Sequence, residues 1–132
     1  FEDAAALEDL ERLVHPSVVA SCRAWLERTD TAVRVVEAIK LVESGLHEAV
    51  DEVWLVLCAR EIRSARLAAR GWSLEEIERR MAADPGPRAR LAAATAVIDN
   101  SGSLADTKVQ LEAAFATGWE RHAAAMGQEG HQ

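Results

Sequence analysis

Arg63, Arg66 and Arg70 recur at intervals of three and four residues. On an α-helix advancing 100° per residue they fall within about 60° of one face, with Ile62, Ala65 and Ala69 on the other side. A guanidinium group can stack its flat face on adenine or fork its N–H groups onto phosphate oxygens. The same three residues also fit a plainer reading, the solvated face of an amphipathic helix. The charge map leaves both readings open but narrows the kind of ligand. Between Arg60 and Arg90 lie eight arginines and five acids, net +3; the remaining residues carry seven basic and seventeen acidic groups, net −10. An acidic chain of net charge −7 with one arginine-rich segment suits a compact anionic ligand better than a long polyanion, and argues against nucleic acid.

The elements that must position these arginines follow from periodicity. The apolar run Val53-Trp54-Leu55-Val56-Leu57-Cys58 suits a parallel strand covered on both faces. It leads directly into a helix over Arg60–Arg70, which Gly71 stops. Ligands of open α/β sheets bind at the carboxyl ends of strands, where this helix begins. The β-branched stretch Val33–Ile39 predicts another strand, and Val97-Ile98-Asp99 a third, very short one. Residues 2–14 predict a helix, broken at His15-Pro16 and followed by a second helix to about Arg28. Glu43–Val50 reads as a short helix or turn. Ser73 with Glu76 predicts a capping box, Asp84-Pro85-Gly86-Pro87 a break, Arg88–Ala94 a short helix, and Ser103 with Asp106 another N-cap pair. The last helix carries Leu104, Leu111, Phe115 and Trp119 near one face. Strands alternating with helices imply a parallel sheet, and three strands are few for one, so a further strand and helix are expected upstream.

Other chemistries find little support. Cys22 and Cys58 form no C-x-x-C pair and read as free thiols in a reducing compartment. The four histidines are scattered, without zinc-like spacing. No apolar run approaches the roughly 18 residues of a membrane span, and Phe1-Glu2-Asp3 begins neither a signal peptide nor a chain with an initiator methionine. The sequence is therefore expected to be part of a longer, cytoplasmic protein.

Several short motifs stand in one register: His15-Pro16, Leu41-Val42-Glu43-Ser44-Gly45-Leu46, the strand Val53–Leu57, Arg66-x-x-x-Arg70, Arg90, and Val97-Ile98-Asp99-Asn100-Ser101-Gly102. In this order and spacing the chain resembles the C-terminal two-thirds of dephospho-CoA kinases, from Phe1 to about Trp119. The resemblance implies an α/β fold, a P-loop kinase-like parallel sheet with flanking helices, here as an incomplete three-strand portion. It implies a partial kinase domain over 1–126: an acceptor-binding helical region 1–30, core strands and helix 31–70, a lid 71–95, and the last strand with the C-terminal helix 96–126. Residues 127–132 are expected to be a disordered tail. The activity implied is ATP-dependent phosphorylation of the ribose 3′-hydroxyl of dephospho-CoA, the last step of coenzyme A synthesis.

Members of that family carry a G-x-x-x-x-G-K-[ST] loop for ATP phosphates and Mg2+, and an aspartate taken as the base. This sequence contains no such glycine loop; its lysines are Lys40 and Lys108, and neither follows a glycine. No catalytic residue is therefore assigned in this chain, which alone is expected to be inactive, and ATP and Mg2+ are expected to be held mainly by an N-terminal segment outside it. The resemblance implies an ATP-binding set of Arg66 on adenine, Arg70 at the phosphates, Arg90 closing on the transferred phosphate, and Asn100, Ser101 and Gly102 around the adenine edge. His15 and Lys40 fall on the acceptor side, for dephospho-CoA. Plainer alternatives remain for His15 as a helix-terminal histidine, for Lys40 as a solvated charge, and for Asn100–Gly102 as a strand-to-helix turn. Three departures stand out: Glu37-Ala38-Ile39-Lys40-Leu41 where many members read D-I-P-L-L, Asp84 where many have glutamine, and Thr95 where many have aspartate. These keep a second function open, a non-catalytic relic or interaction module of the same fold.

Overall fold

The computed structural model describes residues 4–84 and 86–129. These fall into two units, residues 1–51 and 52–132, each built around a different kind of element.

In the first unit, α1 runs from Ala4 to Arg28 with Pro16 inside it. The two helices expected on either side of His15-Pro16 are thus one. Proline removes a single i→i−4 hydrogen bond, and the alanine- and leucine-rich turns on both sides keep theirs. Residues Val33–Ile39 form no strand. A strand needs a neighbour to take its N–H and C=O groups. No strand is described in this unit, and Val33, Val35 and Ile39 stand 45%, 79% and 87% exposed. Gly45, at φ 73°, supplies the left-handed turn into a 3-10 helix over Leu46–Ala49. Leu46 is the buried residue here.

The second unit holds the sheet. β1 (Trp54–Leu57) pairs in parallel with β2 (Ala96–Asp99), in the register Trp54↔Ala96 to Leu57↔Asp99. The fold is α/β with a two-strand parallel sheet among the described residues, one strand fewer than expected. The crossover between them consists of α2 (Arg60–Ala69), α3 (Leu74–Ala83) and α4 (Arg88–Ala93), and α5 (Leu104–Glu129) follows β2. β1 is not covered on both faces: Val56 is 55% exposed, and the most buried strand side chain is Ile98 of β2, at 1%. Val53, Ile77, Met81 and Ile98 make the small apolar core.

Local signals set the helix ends. Gly71 takes φ 87° after α2. Ser73 caps α3 in a capping box with Glu76, and Ser103 and Asp106 exchange the equivalent bonds at the start of α5. α5 continues to Glu129, so the expected tail from 127 begins as helix; residues 130–132 lie outside the described residues. The α5 face of Leu104, Leu111, Phe115 and Trp119 is exposed rather than buried. Phe115 and Trp119 stack on each other there, with ring centroids 6.1 Å apart. A two-strand sheet covers only part of a 26-residue helix, and α5 packs on β2. No described helix is long and apolar enough to cross a membrane.

Candidate functional site

Parallel pairing brings the carboxyl ends of β1 and β2 side by side, and the chain segments leaving them form the site. Asn100 N–H donates to the Leu57 carbonyl at 2.7 Å, extending the ladder by one residue. Ser101 then joins the two strand ends: its Oγ accepts from Ala59 N–H at 2.8 Å, and its own N–H donates to Asp99 Oδ1 at 2.9 Å. The Ser101 hydroxyl, and next its N–H, hold the Asp99 carboxyl below its ordinary value of 3.8. α5 secures the other side. The Gln110 amide brackets the Asp99 backbone, accepting from its N–H at 2.8 Å and donating to its carbonyl at 2.9 Å. The buried Thr107 hydroxyl donates to Asn100 Oδ1 at 3.0 Å. Gly102 has a packing reason of its own: a Cβ there would meet Asp106 Oδ2 at 3.0 Å, the oxygen that caps α5.

Arg66 closes this loop from α2. Its Nη1 donates to the Asn100 carbonyl at 2.6 Å and its Nη2 to the Gly102 carbonyl at 3.1 Å. Nη1 also lies 3.8 Å from Cys58 Sγ. In-plane N–H groups are thus turned onto the loop, while the residue stays exposed. A guanidinium held by its edge keeps its flat face available for stacking.

The three arginines that share a helical face therefore separate in use. Arg63 Nη1 donates to Asp84 Oδ2 at 3.2 Å, and Arg90 Nη1 lies 3.6 Å from Asp84 Oδ1. The Gly86 N–H donates to Asp84 Oδ1 at 3.1 Å. That backbone bond first, then Arg63 and Arg90, keeps the Asp84 carboxyl below its usual range against the opposing effect of burial. The Arg70 guanidinium has no hydrogen bond or ion pair among the described residues. Around them Arg60 ties α2 to Glu78 of α3 at 2.6 Å, and the guanidinium carbon of Arg80 sits 4.2 Å from the Trp72 ring centre.

Of the expected site residues, the structure brings together Arg66, Asn100, Ser101 and Gly102, and separately links Arg90 to Arg63 through Asp84. His15 and Lys40 belong to the first unit. His15 lies within α1, half-buried, and not at a helix end. Lys40 Nζ lies 3.2 Å from Glu11 Oε1. Sequence reasoning missed Thr107 and Gln110, whose spacing of seven and ten residues after Asn100 puts them on α5 above the loop. It also missed Glu52. At the far end of the strands this carboxylate receives Arg121 Nε at 2.9 Å and Nη2 at 2.6 Å, together with the Thr95 hydroxyl. No group of three or more His, Cys, Asp or Glu that could hold a metal exists among the described residues. A shallow groove of about 300 Å³ between β2 and α5, lined by Ala96, Ile98, Gln110, Thr117 and Arg121 among others, includes none of Arg63, Arg66, Arg70 and Arg90.

The chain matches the family described as dephospho-CoA kinase over residues 1–106. It is 39% identical to the dephospho-CoA kinase of Symbiobacterium thermophilum, an alignment covering 99% of this chain and 57% of that protein. It is 37% identical to the enzyme of that name from Geobacter sulfurreducens (88% of this chain, 61% of the relative), and 38% identical to that from Moorella thermoacetica (87% and 57%). The chain thus spans about three-fifths of the length of these relatives. No solved structure matches it.

Proposed function

The chain belongs to the dephospho-CoA kinase family, and from that premise we propose that it supplies the adenine site and lid of an enzyme that transfers the γ-phosphoryl group of ATP to the ribose 3′-hydroxyl of dephospho-CoA. The observation that carries this reading is the Arg66 bridge: a guanidinium fixed by its edge to the Asn100 and Gly102 carbonyls, at the carboxyl ends of parallel strands, where nucleotides bind in such sheets. The exposed face of Arg66 stacks on adenine, and the loop Asn100-Ser101-Gly102 borders the ring edge. Arg70, one turn further and unpartnered among the described residues, reaches the phosphates. Arg90, on α4 at the end of the lid, closes toward the transferred phosphoryl group.

Phosphoryl transfer requires little covalent chemistry from the protein; positioning and neutralisation of charge on the equatorial oxygens dominate. Arg70 and Arg90 supply that charge, and the lid over about 71–95 limits water at the reacting phosphate. His15 and Lys40 are assigned to the acceptor side. Lys40 would exchange its contact with Glu11 for an acceptor phosphate. Such kinases use magnesium with ATP, and no residue of this chain is assigned to it. Its ligands and the phosphate loop are assigned to the part of the longer protein outside this sequence.

The test is a coupled assay on the full-length protein with dephospho-CoA, nucleosides and nucleoside monophosphates as acceptors. Phosphorylation of dephospho-CoA alone, lost together with ATP affinity in Arg66→Ala, is the expected result. ATP binding without turnover of any acceptor would instead mark a non-catalytic relic of the fold. Turnover of another acceptor would mark a different kinase.

A further inference from the structure

Asp84 is the residue for which the reading above has no use, and its surroundings are unusual. It follows the last residue of α3 and connects two helices that are not neighbours in sequence, through Arg63 on α2 and Arg90 on α4. Arg63 Nη1 lies 3.2 Å from one Asp84 oxygen and Arg90 Nη1 3.6 Å from the other. The carboxylate is held in place by the Gly86 N–H. A carboxylate beside an arginine that must attract phosphate is a handicap: the pair alone is neutral, and the oxygens repel an incoming anion. With Arg63 on the second oxygen the group of three carries net +1. Arg63 is thus placed to cancel Asp84, at 42% side-chain exposure, while the more buried Arg90, at 22%, keeps its charge.

We propose that Arg63 is a positioning residue that acts on phosphate binding through Asp84, neutralising this carboxylate so that Arg90 presents its full charge to a phosphoryl anion while Asp84 holds it in place. This rests on the assignment of Arg90 to the phosphate end of the site. It separates Arg63 from Arg66 and Arg70, with which it shares a helix face. It also accounts for an aspartate standing beside a phosphate-facing arginine.

The proposal makes the effect of Asp84 depend on Arg63, in a direction that a mere clamp between helices would not produce. The experiment is isothermal titration of the full-length protein with inorganic tripolyphosphate at moderate salt, with thermal melts to check folding. Arg90→Ala weakens binding, which tests the underlying assignment by itself. Arg63→Ala weakens binding roughly five- to tenfold, as expected for loss of one partly exposed charge partner. Adding Asp84→Asn to Arg63→Ala restores affinity to within about twofold of the parent. Arg63→Lys, which keeps the charge, stays near the parent, and Arg63→Gln does not. A double variant no better than Arg63→Ala, with Arg90→Ala still weak, overturns the proposal and leaves the Arg90 assignment standing. No effect of Arg90→Ala overturns both. If the double variant does not fold, equal affinities for Arg63→Lys and Arg63→Gln overturn the proposal.

Discussion

The Arg66 guanidinium and the Asn100 carbonyl meet at 2.6 Å across 34 residues of sequence, joining the helix after the first strand to the loop after the second. One side chain thereby sets both the group proposed to face adenine and the loop beside it. Lysine cannot repeat this, because a single ammonium lacks both the fork and the flat face. Arg66→Lys should lower ATP affinity of the full-length protein about tenfold, a loss of roughly 1.4 kcal/mol, and should speed amide exchange at Asn100–Gly102 while leaving exchange in the strands unchanged. Parent-like affinity and exchange in Arg66→Lys would remove Arg66 from the site.

At the opposite end of the strands, Glu52 makes stability depend on pH. The Arg121 hydrogen bonds, with help from Thr95 and against partial desolvation, depress its carboxyl below 4.5. A carboxyl depressed in the folded state contributes stability that is complete above its unfolded pKa and lost as pH falls through the folded one. The melting temperature of Glu52→Gln should therefore lie a few degrees below the parent at pH 7, and the gap should close as pH is taken below about 4.5. A gap that is constant or widens in acid would show that the charge of Glu52 is irrelevant.

Gly118 tests the same contact from the other side. It is buried within α5, where glycine ordinarily costs about 1 kcal/mol relative to alanine. A Cβ at this position would meet Glu52 Cδ at 3.2 Å, and Glu52 is tied to Arg121 and Thr95 and cannot easily move. Gly118→Ala should fail to stabilise the native protein in urea denaturation, yet should stabilise a Glu52→Ala background by roughly 0.5–1 kcal/mol. Additive effects in the two backgrounds would mean that Glu52 does not constrain this glycine.

What was legible in the sequence is what short-range rules control. The stops at Gly71 and the Ser73–Glu76 and Ser103–Asp106 caps depend on residues within a turn of each other, and they stand where expected. The strands around 53–58 and 97–99 follow from apolar runs flanked by turn signals. Val33–Ile39 failed for lack of a partner strand, which composition cannot supply. Pro16 failed as a break because one lost hydrogen bond did not outweigh two helical flanks. Glu52 and Arg121, 69 residues apart, and Asp84 between Arg63 and Arg90, are long-range pairs among many charged residues, and periodicity gives no reason to choose them. The arginine face was visible as a face, but only the partners distinguish its members: the loop for Arg66, a carboxylate for Arg63, none among the described residues for Arg70.

That division predicts a ranking in kinetics. Arg70 is assigned a charge-assisted bond to phosphate that strengthens in the transition state, and loss of such a bond costs on the order of 100-fold in rate. Arg63 acts at one remove, through Asp84, so its loss should cost roughly tenfold. Helix position alone would make the two equal, since both lie on one face and carry the same charge. Salt separates local bonds from a general field, because exposed charges acting at a distance are screened within a Debye length of about 10 Å at 0.1 M. Steady-state kinetics of the full-length protein, at low and moderate ionic strength, should therefore show Arg70→Ala as the more damaging substitution, with a ratio to Arg63→Ala that salt leaves nearly unchanged. Arg63→Lys should recover most of the loss and Arg70→Lys less, because only Arg70 is asked for a fork. Equal, small losses that fade with salt in both alanine variants would reduce the arginine face to a solvated surface and withdraw both assignments.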